Sequence, residues 1–146
     1  MSHSIRKATI LDLLKLQKLE KLCFKTDSWP FFDLIAVLTF PEVIRLKALI
    51  SNQMVGFIAG DIRNSDKIAW IATLAVDPMY QNQGIGAQLL RECELKLSTT
   101  RIRLCLRPDN MPALRLYTHA GYTVIDHWKE YYNDKGDALV MEKRSV

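Results

Sequence analysis

The chain has 146 residues, 49 % of them hydrophobic, and a formal net charge of +4. That length makes one domain over residues 1–146, with no room for a second core. No apolar run reaches membrane-span length, the start Met1-Ser2-His3-Ser4 has no signal-peptide core, and the charge is too diffuse to argue for nucleic acid.

Residues 5–7 predict a short strand. Thr9 is placed to N-cap a helix over residues 10–22. Trp29-Pro30 breaks the chain, residues 31–40 predict a second helix, and Pro41 ends it. Residues 43–50 and 54–62 read as strands joined at Ser51-Asn52-Gln53, with a second hairpin turn at Asn64-Ser65-Asp66. Residues 68–76 are nearly continuous in apolar side chains, which predicts a central, buried strand. The clearest helix follows: Gly86, Leu89, Leu90, Cys93 and Leu97 share one face, and Glu92 and Lys96 are set to pair on the outer one. Residues 101–107 alternate as a strand. Asn110 and Pro112 start another helix, with Ala113, Leu116, Tyr117 and Ala120 on one face and Gly121 as its stop. Residues 122–132 and 138–143 close the chain as a strand pair. The order β-α-α-β-β-β-α-β-α-β-β predicts an α/β (α+β) fold: a mixed, mostly antiparallel sheet of about seven strands flanked by about four helices.

Cys23, Cys93 and Cys105 are an odd number without metal spacing. They predict buried apolar residues in a reducing cytoplasm, and no metal. A monomer or homodimer is expected, with strand 43–50 or 138–143 as an edge that would pair.

The run Leu74-Ala75-Val76-Asp77-Pro78 leads into Gln81-Asn82-Gln83-Gly84-Ile85-Gly86, a strand, a stop and a glycine turn opening a helix. Glycines there let backbone N–H groups approach a ligand closely, and the helix dipole behind them favours a pyrophosphate. A P-loop would need Gly-Lys-Ser/Thr, and Ala87-Gln88 stands there instead. A dinucleotide fingerprint would need a third spaced glycine and a later acidic residue.

With Gln81 three residues before Gly84, the turn has the form Q/R-x-x-G-x-G/A, which resembles the acetyl-CoA loop of the GNAT acetyltransferase superfamily. Residues 110–122 resemble the family's N-x-x-A-x-x-L-Y-x-x-x-G-F/Y pattern through Asn110, Ala113, Leu116, Tyr117, Gly121 and Tyr122. The element order resembles the GNAT fold across essentially the whole chain.

The resemblance implies an N-acetyltransferase that uses acetyl-CoA as co-substrate and lets a primary amine attack directly. It implies that Leu74, Ala75 and Val76 bind the pantetheine arm and that the Val76 N–H is the oxyanion donor. It assigns the pyrophosphate to Gln81, Asn82, Gln83, Gly84, Ile85, Gly86 and Ala87, and the far side to Asn110 and Ala113. Tyr117 stands where the family often places a general acid, which would protonate the departing thiolate. A thiol pKa of about 8.5 makes thiolate a tolerable leaving group, so the acid is worth about 10²–10⁴-fold. On its residues alone Tyr117 reads equally as an ordinary apolar-face aromatic.

Residues 128–141, with Tyr131-Tyr132 and Asp137-Ala138-Leu139, resemble the ending of the ribosomal-protein alanine and N-terminal acetyltransferase branch. Residues 19–29 resemble that branch's first loop. This implies peptide contact by Phe24, Tyr131 and Tyr132, with Glu20 as a partner for the amine. The plain alternative for the tyrosines is a strand pair, one ring in and one out.

Cys105 stands where relatives often carry a glutamate or histidine base, and Trp70 where some carry a tyrosine. No residue inherits the base role; Glu20, His119, His127 and Asp126 are candidates by chemistry alone. At pH 7 an α-amine of pKa about 7.8 is roughly 10–15 % neutral, a cost of about 1 kcal/mol. A lysine amine of pKa about 10.4 is roughly 0.04 % neutral, a cost of about 4.6 kcal/mol. The expected acceptor is therefore the N-terminal α-amine of a protein or peptide. A small-molecule amine acetyltransferase and a non-catalytic acyl-CoA-binding module remain the alternatives.

Overall fold

The computed structural model describes residues 2–24, 26–63 and 67–144; the Asn64-Ser65-Asp66 turn lies outside them. Strand β1 (Ser4–Lys7) runs into a capping box: Thr9 Oγ1 accepts from the Leu11 N–H, and Asp12 accepts from the Thr9 N–H at 2.9 Å. The first turn, Ile10–Asp12, is 3₁₀ and then relaxes into helix α1 (Leu13–Cys23). Helix α2 (Phe31–Thr39) follows Pro30. Its C-terminal carbonyls are closed by the buried Arg45, whose Nε donates to the Val37 carbonyl at 2.8 Å and whose Nη2 donates to that of Phe40.

The remaining elements are β2 (Val43–Ile50), β3 (Gln53–Arg63), β4 (Ile68–Val76), α3 (Ile85–Leu97), β5 (Arg101–Leu106), α4 (Met111–His119), β6 (Thr123–Trp128) and β7 (Ala138–Arg144). They match the expected order. They form one seven-stranded sheet in the order β1-β2-β3-β4-β5-β7-β6. Only β4 and β5 pair in parallel.

Two cores lie on opposite faces of that sheet. Helices α1 and α2 bury Leu16, Leu19, Leu34 and Val37 against Phe57, Ala59 and Ala75. Helix α3 buries Ile85, Leu89, Leu90 and Cys93 against Ile58, Ile71 and Leu104, with Tyr117 of α4 in the same cluster. The outer face of α3 departs from expectation: Glu92 accepts from Gln88 Nε2 at 3.1 Å.

Two expectations are corrected. Strands 43–50 and 138–143 are interior; the sheet edges are β1 and β6. The last hairpin is shorter than its aromatic pattern implies. Strand β6 stops at Trp128, and Tyr131 and Tyr132 lie in the connection to β7, where Glu130 and Lys135 take positive φ.

The sheet is split at its centre. Strand β4 pairs with β5 only from Ile68↔Arg101 to Trp70↔Arg103. Beyond that, β4 stays with β3 as far as Gly56↔Val76, and β5 stays with β7 as far as Leu106↔Leu139. A bulge marks the divergence: Gly60 faces Ile71 and Ala59 faces Thr73, leaving Ala72 without a partner. The bulge reverses the alternation, so Ile71 before it and Leu74 and Val76 after it all pack on the α3 side.

Candidate active site

A cleft of about 820 Å³ occupies the gap. Its strand wall is Leu74, Ala75 and Val76. Asp77 N–H donates to the Val55 carbonyl at 2.8 Å, which makes Gly56↔Val76 a non-hydrogen-bonded pair. By the same alternation Ile58↔Leu74 is one too. The N–H and C=O groups of Leu74 and Val76 therefore point away from β3, across the gap that β5 has left. This is an open ladder edge of the kind an extended amide chain pairs with. The Val76 carbonyl is already taken, by Cys23 Sγ–H at 3.3 Å and Gln81 Nε2 at 3.0 Å. Those two bonds fix the orientation of the peptide group at the end of β4.

The second wall is the start of α3. Gly84 is its N-cap at φ +82, a left-handed conformation that glycine adopts without strain. The first α-helical bond of this end runs from Gln88 N–H to the Gly84 carbonyl at 3.0 Å. The preceding N–H groups of Ile85, Gly86 and Ala87 are free of helical partners. Gln81, Asn82, Gly84, Ile85, Gly86 and Ala87 all line the cleft; the exposed Gln83 does not. A Cβ on Gly86 would meet Leu116 at 3.4 Å and Val76 at 3.6 Å, so α3 begins against both other walls.

The third wall is α4. Asn110 caps it through Oδ1, which accepts from the Ala113 N–H at 3.2 Å, and both residues line the cleft. Tyr117 lines it too, 8 % exposed, with its ring edge-on to Tyr122 at 5.8 Å. Burial, reinforced by Tyr132, pushes its hydroxyl pKa above the ordinary tyrosine range. Tyr117 thus carries a proton throughout the neutral range. Cys23 keeps its proton as well: burial first, then Glu20 and Asp77, push its thiol up to about 12.

Sequence reasoning missed Arg91 and Arg115, which line the cleft with Lys143. Helical spacing carried the signal. Arg91 lies one turn beyond Ala87, and Arg115 one turn beyond Pro112, on the faces that those cleft residues present.

The expected acceptor residues divide. Phe24 lines the cleft. Glu20, on the buried face of α1, does not: Oε2 accepts from Thr73 Oγ1 at 2.9 Å, and Oε1 has no hydrogen-bond partner among the described residues. Burial raises its pKa, against the Thr73 hydroxyl and the Trp29 backbone. Tyr131 and Tyr132 pack edge-on at 5.0 Å and continue through Trp128 to Trp70 on β4. Cys105 is half-buried and alternates with Leu104 and Leu106, so it sits on the α1 side of β5. Among the base candidates, His127 bonds Asp137 at 2.9 Å, Asp126 accepts from Trp128 Nε1 at 3.0 Å, and His119 lines the cleft. Among the described residues no three His, Cys, Asp or Glu side chains group to hold a metal, and no helix is long and apolar enough to cross a membrane.

The model of the acetyltransferase (GNAT) family matches residues 12–122. The chain belongs to that family. It is a GNAT-fold, acetyl-CoA-dependent N-acetyltransferase. It is 25 % identical over 146 residues to the N-terminal acetyltransferase A complex catalytic subunit NAA10 of Arabidopsis thaliana, covering 95 % of this chain and 76 % of that one. Its fold matches the ribosomal-protein-S18-alanine N-acetyltransferase of Escherichia coli with a TM-score of 0.87 at 22 % identity, over 98 % of this chain and 94 % of that one. It matches Arabidopsis thaliana NAA60 in complex with acetyl-CoA at 0.86 and 19 % identity, over 98 % of both. In this GNAT chain the split sheet, the glycine turn and α4 supply the three walls.

Proposed function

We propose that this GNAT enzyme acetylates the N-terminal α-amine of a protein or peptide. The observation that carries the reading is the character of the α1 side of the gap. Phe24 lines the cleft, Tyr132 lies within electrostatic reach of Tyr117 and Cys105, and Tyr131 packs on Tyr132, while the nearby carboxylates are already engaged. Asp27 and Asp134 are both held by Arg107, and Glu20 is buried. An aromatic, charge-neutralised border suits a peptide chain and suits a polyamine poorly. The Arabidopsis relative named as an N-terminal acetyltransferase subunit supports the same acceptor.

In this reading acetyl-CoA enters from the α3 side. The open edge of Leu74 and Val76 pairs with the pantetheine amides. The N–H groups from Gln81 to Ala87 hold the pyrophosphate, helped by Arg91 and Arg115. The Val76 N–H faces the developing oxyanion, and Tyr117 returns a proton to the thiolate. The protonated Cys23 thiol is a poor nucleophile, which favours direct attack by the amine over an acyl-enzyme. Cys105, a poor base, stands at the family's base position, so the acceptor arrives through its own neutral fraction, which favours an α-amine over a lysine side chain.

Thiol release from acetyl-CoA tests this against free-N-terminus peptides, N-blocked lysine peptides, polyamines and amino acids. Turnover confined to free-N-terminus peptides is expected. Turnover confined to small amines overturns the peptide acceptor and leaves the family standing.

A further inference from the structure

We propose that Arg107 is a positioning residue for the acceptor, joining the two segments that border the gap on its α1 side. The inference rests on the acceptor reading above, which makes the α1–α2 loop and the β6–β7 turn the walls of the entrance. Arg107 directly follows Leu106, the last residue of β5 in register with β7. The sheet therefore fixes its backbone. Its guanidinium grips the α1–α2 loop bidentately: Nε donates to Asp27 Oδ2 at 2.6 Å and Nη2 to Asp27 Oδ1 at 2.7 Å. Nη2 also donates to Asp134 Oδ1 in the β6–β7 turn at 3.0 Å. The guanidinium carbon lies 4.3 Å from the centre of the Tyr132 ring. One planar cation thus orders a carboxylate from each wall and an acceptor-side aromatic.

The turn is shaped to receive it. Tyr132 N–H donates to the Gly136 carbonyl at 3.0 Å, and Lys135 N–H to the Tyr132 carbonyl at 2.8 Å. The Gly136 N–H donates to the same Asp134 Oδ1 that Arg107 holds. A Cβ on Gly136 would collide with Arg107 Nη1. The glycine is therefore there for space, since its φ is not positive. The two walls lie on either side of a gap where β4 and β5 no longer pair, so no ladder joins them. All three partners are partly exposed, 24 % for Arg107, 27 % for Asp27 and 49 % for Asp134, so the ion pairs add little to global stability. Their use is geometric. A lysine, with a point charge, reproduces neither the fork nor the stacking.

Amide hydrogen exchange tests the linkage without any acceptor. Asp134→Asn is expected to speed exchange in residues 26–30, to which Arg107 links it. Asp27→Asn is expected to speed exchange in residues 131–136, and Arg107→Lys in both, with residues 85–97 unchanged. Changes confined to each variant's own segment overturn the proposal, and the two asparagine variants decide it even where Arg107→Lys does not fold. Steady-state kinetics on a free-N-terminus peptide give the second readout. Arg107→Lys is expected to raise the peptide KM about tenfold, the loss of one charge-assisted hydrogen bond, with the acetyl-CoA KM unchanged. Gly136→Ala, which removes no charge, is expected to move the peptide KM the same way. Equal rises in both KM values overturn the proposal. A wild-type enzyme inert on every peptide overturns the acceptor reading instead, and the exchange arm still decides the linkage.

Discussion

Tyr117 and Cys23 line one cleft, and both hold their protons at neutral pH. For Tyr117 that is the state a general acid needs. Tyr117→Phe is expected to lower kcat by about 10²-fold with the acetyl-CoA KM held, measured by steady-state thiol release. An unchanged kcat removes Tyr117 as the acid. Tyr117 was legible because a motif names it. Glu20 was not understood from the sequence, because one carboxylate on an amphipathic helix gives no sign of whether it faces solvent. It faces Thr73 and is fully buried, which removes it from direct contact with an amine in the cleft.

The glycine turn separates two requirements at the level of the element. Gly84 needs its left-handed φ, and an alanine there carries a strain of about 1–2 kcal/mol. Gly86 is helical and has room for a methyl within the protein. Gly86→Ala is therefore expected to stabilise α3 by up to about 1 kcal/mol while raising the acetyl-CoA KM. Thermal unfolding and kinetics check the two signs; a higher Tm with an unchanged KM removes the close approach of ligand to Gly86. Helix α3 was readable from its apolar period, apart from its first buried residue, Ile85. The end of β6 was not. The alternation of Tyr131 and Tyr132 with polar neighbours mimics a strand, and Glu130 and Lys135 adopt left-handed turns without the usual glycine signal.

The whole molecule is two cores on a sheet whose centre parts. Element order was legible because each strand and helix carries its own period. The parting was not, because residues on both sides of the Ala72 bulge are apolar and nothing in the alternation shows where it reverses. The closed side of the sheet depends on Glu142 of β7. Burial works to raise its pKa, but bonds from Arg144, Arg103 and Arg101 bring it to about 2, below its ordinary 4.5. A depressed carboxylate contributes stability above its unfolded pKa and loses it as pH falls through the folded one. Unfolding free energy is thus expected to fall from about pH 4.5 to about pH 2, and Glu142→Gln is expected to flatten that slope. Denaturant unfolding across the window checks it; an unaltered slope places the acid sensitivity elsewhere.

The central claim is an α-amine acceptor served without a dedicated base. Its most direct test is kcat/KM at pH 7 on a matched pair of peptides, one with a free N-terminus and no lysine, the other N-blocked with a single lysine. The difference in neutral amine alone predicts a preference of about 300-fold for the free N-terminus. Equal turnover, or faster turnover of the lysine, contradicts the account and requires a base that deprotonates the acceptor.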